Sequence, residues 1–258
     1  MAVNADLEQI KALLDAKVQA FNSPSFIEND PVCIPHLFQK KEDIEIAGFF
    51  AATLAWGNRK SIIANSSDLL ARMDNSPHDY IINHSAKDLQ RLKKFVHRTF
   101  NDKDLLFFVR TLRNIYTKHN GLESAFTAKT PADLKTAIIN FRTLFLSVEH
   151  LARSEKHISN PAAKSSSKRL CMFLRWMVRK DKHGVDFGIW ESLSPALLQL
   201  PLDVHTGFVS RELGLLKRKQ NDWQAVEEIT AVLRTFDPKD PVKYDFALFG
   251  LGIEGYFK

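Results

Sequence analysis

The sequence holds only two cysteines, Cys33 and Cys171, far apart and outside any Cys-x-x-Cys spacing. A disulfide framework, a zinc ribbon and a cysteine-ligated iron–sulfur cluster are therefore not expected. Long apolar runs are missing too, and nothing approaches the ~20 residues that cross a bilayer. The start, Met1-Ala2-Val3-Asn4-Ala5-Asp6, has no basic segment followed by an apolar stretch, so no export signal is expected. These absences point to a reducing, cytoplasmic setting and no membrane partner. Runs that alternate apolar and polar residues are lacking as well, and no repeat of roughly 20–50 residues is visible.

What is present is helical periodicity. Hydrophobic residues make up 45% of the 258 and charged residues 26%, enough for one large domain or two lobes. Leu7, Ile10, Leu13, Leu14 and Val18 recur at helical steps. Pro24, Pro31 and Pro35 then break the chain. The apolar stretch 42–54 predicts a buried helix that stops at Gly57, and another helix follows over 60–73. Ser76-Pro77 starts the next. Further helices are expected over 88–97, 102–119 and 131–150, with a polar loop over 153–167. Helices resume over 168–179, 204–213, 222–236 and 241–250. The fold class is all-α. One lobe is expected over about 36–150 and the other over about 151–258, with the N-terminal helix joining the second.

Lysine and arginine total 36 against 30 acids, a net charge of +6, mildly basic and compatible with nucleic acid. Its clustering says more. Lys164, Lys168, Arg169, Arg175, Arg179, Lys180 and Lys182 crowd into one stretch in which Asp181 is the only acid. Ser165, Ser166 and Ser167 precede the helix and would offer hydroxyls and free backbone N–H groups to a phosphate, with Lys164, Arg169 and Arg175 as further contacts to the DNA backbone. The bland alternative is a solvated cationic face on a serine-capped helix. Lys168 sits where loop becomes helix, and Arg169 and Arg175 are near enough in sequence to favour its neutral, nucleophilic form.

A second stretch, Leu200-Pro201-Leu202-Asp203-Val204-His205, places an aspartate after an apolar lead and before a helix. As an N-cap, Asp203 would accept backbone N–H bonds, remain ionised and aim its charge at a developing cation. His205 would contact a phosphate or pack. Trp56, Asn58, Phe187 and Trp190 lie in irregular segments beside these stretches and are candidates to line a base pocket.

The two stretches together resemble the helix-hairpin-helix DNA glycosylase/lyase superfamily, which includes endonuclease III and the 8-oxoguanine glycosylases. Lys168 matches its Schiff-base lysine, and Leu202-Asp203-Val204-His205 its turn bearing the catalytic aspartate. Arg211-Glu212-Leu213-Gly214 fits the helix that follows, and Asp245-Phe246-Ala247-Leu248-Phe249-Gly250-Leu251-Gly252 the last buried helix of that lobe. Residues 42–72 look like the apolar helix and base-pocket loop of the other lobe. The likeness is nearest to the archaeal GO glycosylases that recognise 8-oxoguanine. The whole sequence looks still closer to a bacterial family of similar length described as conserved and uncharacterised. One departure stands out: the superfamily's Gly-x-Gly before the lysine is Lys164-Ser165-Ser166 here.

The resemblance implies a two-lobed helical fold with a cleft. It implies glycosylase and β-lyase chemistry by Lys168 and Asp203 on damaged duplex DNA, no cofactor or metal, and a monomer. Other readings are a non-catalytic nucleic-acid binder of the same fold and a helical protein–protein scaffold. A further one is a metal-dependent phosphohydrolase using His78-Asp79 with His36, His84 and His97.

Overall fold

The apolar steps at Leu14 and Val18 bury one face of α1 (Ala2–Phe21), the first helix of a computed structural model that describes residues 2–128 and 131–257. A short α2 (Pro24–Ile27) follows, and beyond Glu28 the chain enters a compact unit of residues 29–160. That unit holds α3 (Lys41–Leu54), α4 (Arg59–Arg72), α5 (Pro77–Asn83), α6 (Asp102–Lys118), α7 (Gly121–Thr127) and α8 (Leu134–Phe145). Its core is phenylalanine. Phe49 and Phe50 of α3 meet Phe107 and Phe108 of α6 and Phe141 and Phe145 of α8, all essentially fully buried. Ring centroids lie 4.8 Å apart for Phe108 and Phe145, and 5.8 Å for Phe49 and Phe141, both edge to face. Such pairs each add about 0.5–1.5 kcal/mol beyond burial. Asn101 and Asp104 form a reciprocal cap at the start of α6. Buried Asp104 also pairs with Arg153 at 2.8 Å and accepts the Ser154 hydroxyl at 2.6 Å.

Mostly helical architecture agrees with the all-α expectation; the departures are local. Residues 88–97 do not form an α-helix. A 3-10 turn spans Asp88–Leu92, and Val96–His97 pairs antiparallel with Phe100–Asn101. Lys94 and Arg98 take left-handed backbone (φ 63° and 56°) and turn the chain there, which a continuous helix forbids. The stretch 131–150 yields only α8, and the polar segment after it carries 3-10 turns at Ala152–His157 and Pro161–Ala163.

A second compact unit combines residues 1–28 with 161–258. To α1 and α2 it adds α9 (Lys168–Val178), α10 (Val204–Glu212), α11 (Trp223–Phe236) and α12 (Tyr244–Glu254). The last of these packs against both α1 and α10. Gly250 lets the Phe21 ring lie directly on the α12 backbone, where a Cβ would collide with it. The Tyr244 hydroxyl donates to Asp15 at 2.9 Å, tying the same two helices.

Candidate active site

Residues 198–202 are all buried, and the Leu200 amide donates to the Thr230 hydroxyl at 3.1 Å. This extended anchor fixes the chain just before Asp203. Asp203 then caps α10: its Oδ1 accepts from the Thr206 amide at 2.9 Å, while its own amide donates to the Thr206 hydroxyl at 2.8 Å. The other carboxylate oxygen, Oδ2, lies 3.3 Å from Lys168 Nζ, the first residue of α9. The two side chains are 31% and 16% exposed, so the pair is shielded yet reachable from solvent. Burial raises the Asp203 carboxyl, but the Lys168 charge and the Thr206 bonds outweigh it and hold it below its ordinary value. It is a carboxylate kept ionised.

The approach to Lys168 is a bent loop. Lys164 and Ser167 both adopt left-handed backbone, with φ of 65° and 50°, a region glycine occupies freely and other residues seldom do. They bracket Ser165 and Ser166, so the turn is made without glycine and its bends fall on either side of the serine pair. Such outliers concentrate at functional sites. Ser167 stands at the cap position of α9, yet its side chain makes no capping bond. Its hydroxyl faces the Ser165 carbonyl at 3.4 Å, and the residue is 1% exposed, so it is no surface phosphate ligand. Lys164 is exposed, and Ser165 and Ser166 are half-buried. Arg169 is also half-buried; burial pushes its guanidinium down to about 10.

Arg175 was expected to contact DNA, and the fold puts it elsewhere. It is 3% exposed and pairs with Asp186 at 3.2 Å and with Asp245. Arg179 is equally buried among Asp181, Asp186 and Asp240 at 2.7–3.0 Å. Both guanidiniums also lie over the Phe246 ring, at 4.3 and 5.4 Å. Two of the seven basic residues of this stretch thus belong to an internal ion-pair ladder.

Within that ladder two guanidiniums face four carboxylates. Burial raises two of the four acids, Asp240 and Asp245, above their ordinary value. It pushes the Asp245 carboxyl up to about 6; Arg175 and Lys168 oppose the rise, while Asp203 and Asp186 add to it. An acid with a folded pKa above its unfolded one takes up a proton on folding between the two values. Its contribution to stability is therefore present at low pH and lost as pH climbs from 3.8 through about 6. Moving from about pH 7 to about pH 5 should favour the wild type over Asp245→Asn by about 1 kcal/mol, measured by denaturant unfolding of both proteins at both pH values.

The remaining candidates are scattered. His205 is exposed on the first turn of α10, its ring 6.4 Å from that of Phe249. Phe187 is half-buried, and its amide donates to the Trp176 carbonyl at 2.8 Å. Trp190 is 2% exposed and edge-on to Phe173 at 5.4 Å, so it is core and not a base pocket. Trp56 and Asn58 belong to the 29–160 unit. There the Arg98 guanidinium covers Trp56 at 5.0 Å, and the indole N–H is buried without a hydrogen-bond partner. Asn58 caps α4, accepting from the Ser61 amide at 3.3 Å.

The histidines do not converge. The His78 ring meets Lys40 Nζ at 2.9 Å and the edge of Tyr116, whereas Asp79 accepts from Asn83. His84 turns to the Tyr80 carbonyl and His97 to the Trp56 carbonyl. Among the described residues no group of His, Cys, Asp and Glu is placed to hold a metal ion. No helix there is long and apolar enough to cross a membrane.

Sequence reasoning passed over Asn221, whose Nδ2 donates to the Asp203 carbonyl at 2.9 Å, and the buried acids Asp186 and Asp245. Asp222 had a local signal, a capping aspartate just before Trp223, but Asn221 had none.

The protein is therefore a mostly helical one with a capped aspartate and a helix-initiating lysine in contact beside a buried ion-pair ladder. Residues 30–254 match the family described as "Protein of unknown function (DUF2400)", and the chain belongs to that family. No curated protein and no solved structure matches it.

Proposed function

We propose that this protein is a DNA base-excision enzyme, an N-glycosylase with β-lyase activity, on a two-lobed helix-hairpin-helix glycosylase fold. The observation that carries the reading is the 3.3 Å approach of Lys168 Nζ to Asp203 Oδ2. A primary amine next to an ionised carboxylate, itself locked by a helix cap, suits Schiff-base chemistry at a sugar carbon.

In this scheme the Lys168 ammonium gives up a proton to solvent water, and its amine attacks C1′ of a flipped nucleotide. The glycosidic bond breaks with its electron pair on the base, which takes up a proton and leaves. Asp203 stabilises the positive charge that grows on the sugar as that bond stretches. Opening of the sugar ring turns the C1′ amine into an iminium. Loss of a C2′ proton then expels the 3′ phosphate. An oxidised purine is the class of base that the resemblance favours.

The phosphodiester backbone would be met by Lys164, by Ser165 and Ser166 ahead of the uncapped start of α9, and by His205. The loop between α10 and α11 adds exposed Lys217 and Lys219. Changing both of these to glutamine should weaken duplex binding and flatten the slope of log affinity against log salt by about 2, measured by fluorescence anisotropy.

Borohydride trapping on duplexes bearing 8-oxoguanine, uracil or an abasic site tests the reading. A covalent protein–DNA adduct is expected. Salt-dependent binding with no adduct on any of them would replace the enzyme by a non-catalytic DNA binder.

A further inference from the structure

We propose that Asn221 is a positioning residue for the Lys168–Asp203 pair, and that residues 221–223 hold the two halves of the site at their working distance. The chemistry it serves rests on the proposed Schiff-base reading; its placement rests on geometry alone.

Asn221 stands on the loop between α10 and α11, just ahead of the α11 cap. Its Nδ2 donates to the Asp203 carbonyl at 2.9 Å, and its Oδ1 accepts from Arg211 Nη2 at 2.7 Å. Arg211 also donates through Nε to the Arg218 carbonyl at 2.8 Å, so the loop is closed on itself. The next residues face the other way along the site. Asp222 forms an isolated antiparallel bridge with Ser165, and the Trp223 amide donates to the Lys164 carbonyl at 3.2 Å. Consecutive residues thus grip the turn bearing Asp203 on one side and the backbone leading into Lys168 on the other. The grip is firm because Asp222 caps α11 through the Ala225 amide at 3.1 Å and is paired with Arg218 at 2.5 Å.

Gly207 completes the arrangement. A Cβ there would lie 2.7 Å from Asn221 Oδ1, 3.0 Å from its Nδ2 and 2.9 Å from Arg211 Nη1. All of these are side-chain ends, so a methyl group would push the Asn221 amide aside without displacing backbone. Asp203 keeps its own cap through Thr206 and its carbonyl keeps the Gly207 amide at 2.9 Å. Losing Asn221 therefore leaves α10 intact and frees its first turn to drift from the Lys168 loop. Drift of this kind matters because reacting groups displaced by about 1 Å lose up to about 100-fold in rate.

The experiment pairs Asn221→Ala with Gly207→Ala, one removing the amide and the other moving it. Carboxyl carbon NMR of the free proteins follows the titration of Asp203 with that of Asp181 as reference, both held below the ordinary value in the wild type. In both variants Asp203 is expected to titrate higher, as Lys168 draws away, while Asp181 stays in place. Adduct formation under borohydride should slow about 10- to 100-fold at saturating DNA, with affinity changed less than about twofold. An Asp203 titration unmoved in both variants overturns the inference, and so does one that moves together with Asp181, which would mark general loosening. A wild type that forms no adduct removes the Schiff-base reading, and the NMR titration still decides for or against Asn221.

Discussion

Lys168→Gln is expected to leave a folded protein whose trapped adduct with abasic-site DNA falls about a thousandfold or more, the scale of losing a covalent nucleophile. Glutamine has no amine to form the imine. The substitution costs little structure, because the lysine side chain is 31% exposed and fills no core position. Asp203 would keep the Thr206 amide and hydroxyl, so its cap survives. Loss of this partly shielded ion pair costs about 1 kcal/mol, because the carboxylate keeps its Thr206 bonds. Lys168→Arg sharpens the result: it preserves a positive partner for Asp203 and the attraction to DNA, and it too should give no adduct. Mass spectrometry of the borohydride-reduced product locates the linkage. An adduct that persists undiminished in Lys168→Gln would take the nucleophile's role from this residue.

Arg175→Met should destabilise the protein by about 3–5 kcal/mol, the range seen when one member of a buried ion pair is removed. The methionine fills much of the same volume, so the loss is electrostatic. Asp186, with no exposed side-chain surface, and the buried Asp245 would both lose a guanidinium partner. Arg179 remains, but it is shared among Asp181, Asp186 and Asp240. For a chain of this length the midpoint of thermal unfolding should drop by about 6–20 °C. Calorimetry and urea unfolding read the change directly. Weaker DNA binding at unchanged stability would instead put Arg175 back on the surface as a phosphate contact.

These two residues mark the limits of reading the chain by eye. Lys168 and Asp203 were legible because their signals are local: a loop that becomes an amphipathic helix, and an aspartate after an apolar lead. Arg175 carried an equally plain local signal, a positive charge in a basic run, and it misled. The carboxylates that neutralise it lie 11 and 70 residues away, so the sequence around it shows the charge without its counterions. Trp190 failed for the same reason, since only the folded chain shows Phe173 against it. The helices with strong apolar stripes were readable throughout, as α6, α9 and α11 show. Residues 88–97 were not, because the turns at Lys94 and Arg98 use left-handed backbone on residues that advertise nothing of the kind. Asn221 is the extreme case. An exposed asparagine in a polar loop is ordinary until the 18-residue reach of its amide to the Asp203 carbonyl is known.

The pairing of α1 with α12 bears on how the chain is made. Residues 29–160 are contiguous, and their phenylalanine core is complete once α8 has been synthesised. The unit carrying Lys168 and Asp203 is assembled from both ends of the chain, and the seat for Phe21 exists only once Gly250 has arrived. During elongation α1 must therefore wait through more than 200 residues with its apolar face unpaired. Its interface with α12 can close only after residues 29–160 have been made, over a long intervening loop. A ribosome stalled before α12 would display α1 as a bare amphipathic helix, a ready target for chaperones and proteases in a chain whose middle has already folded.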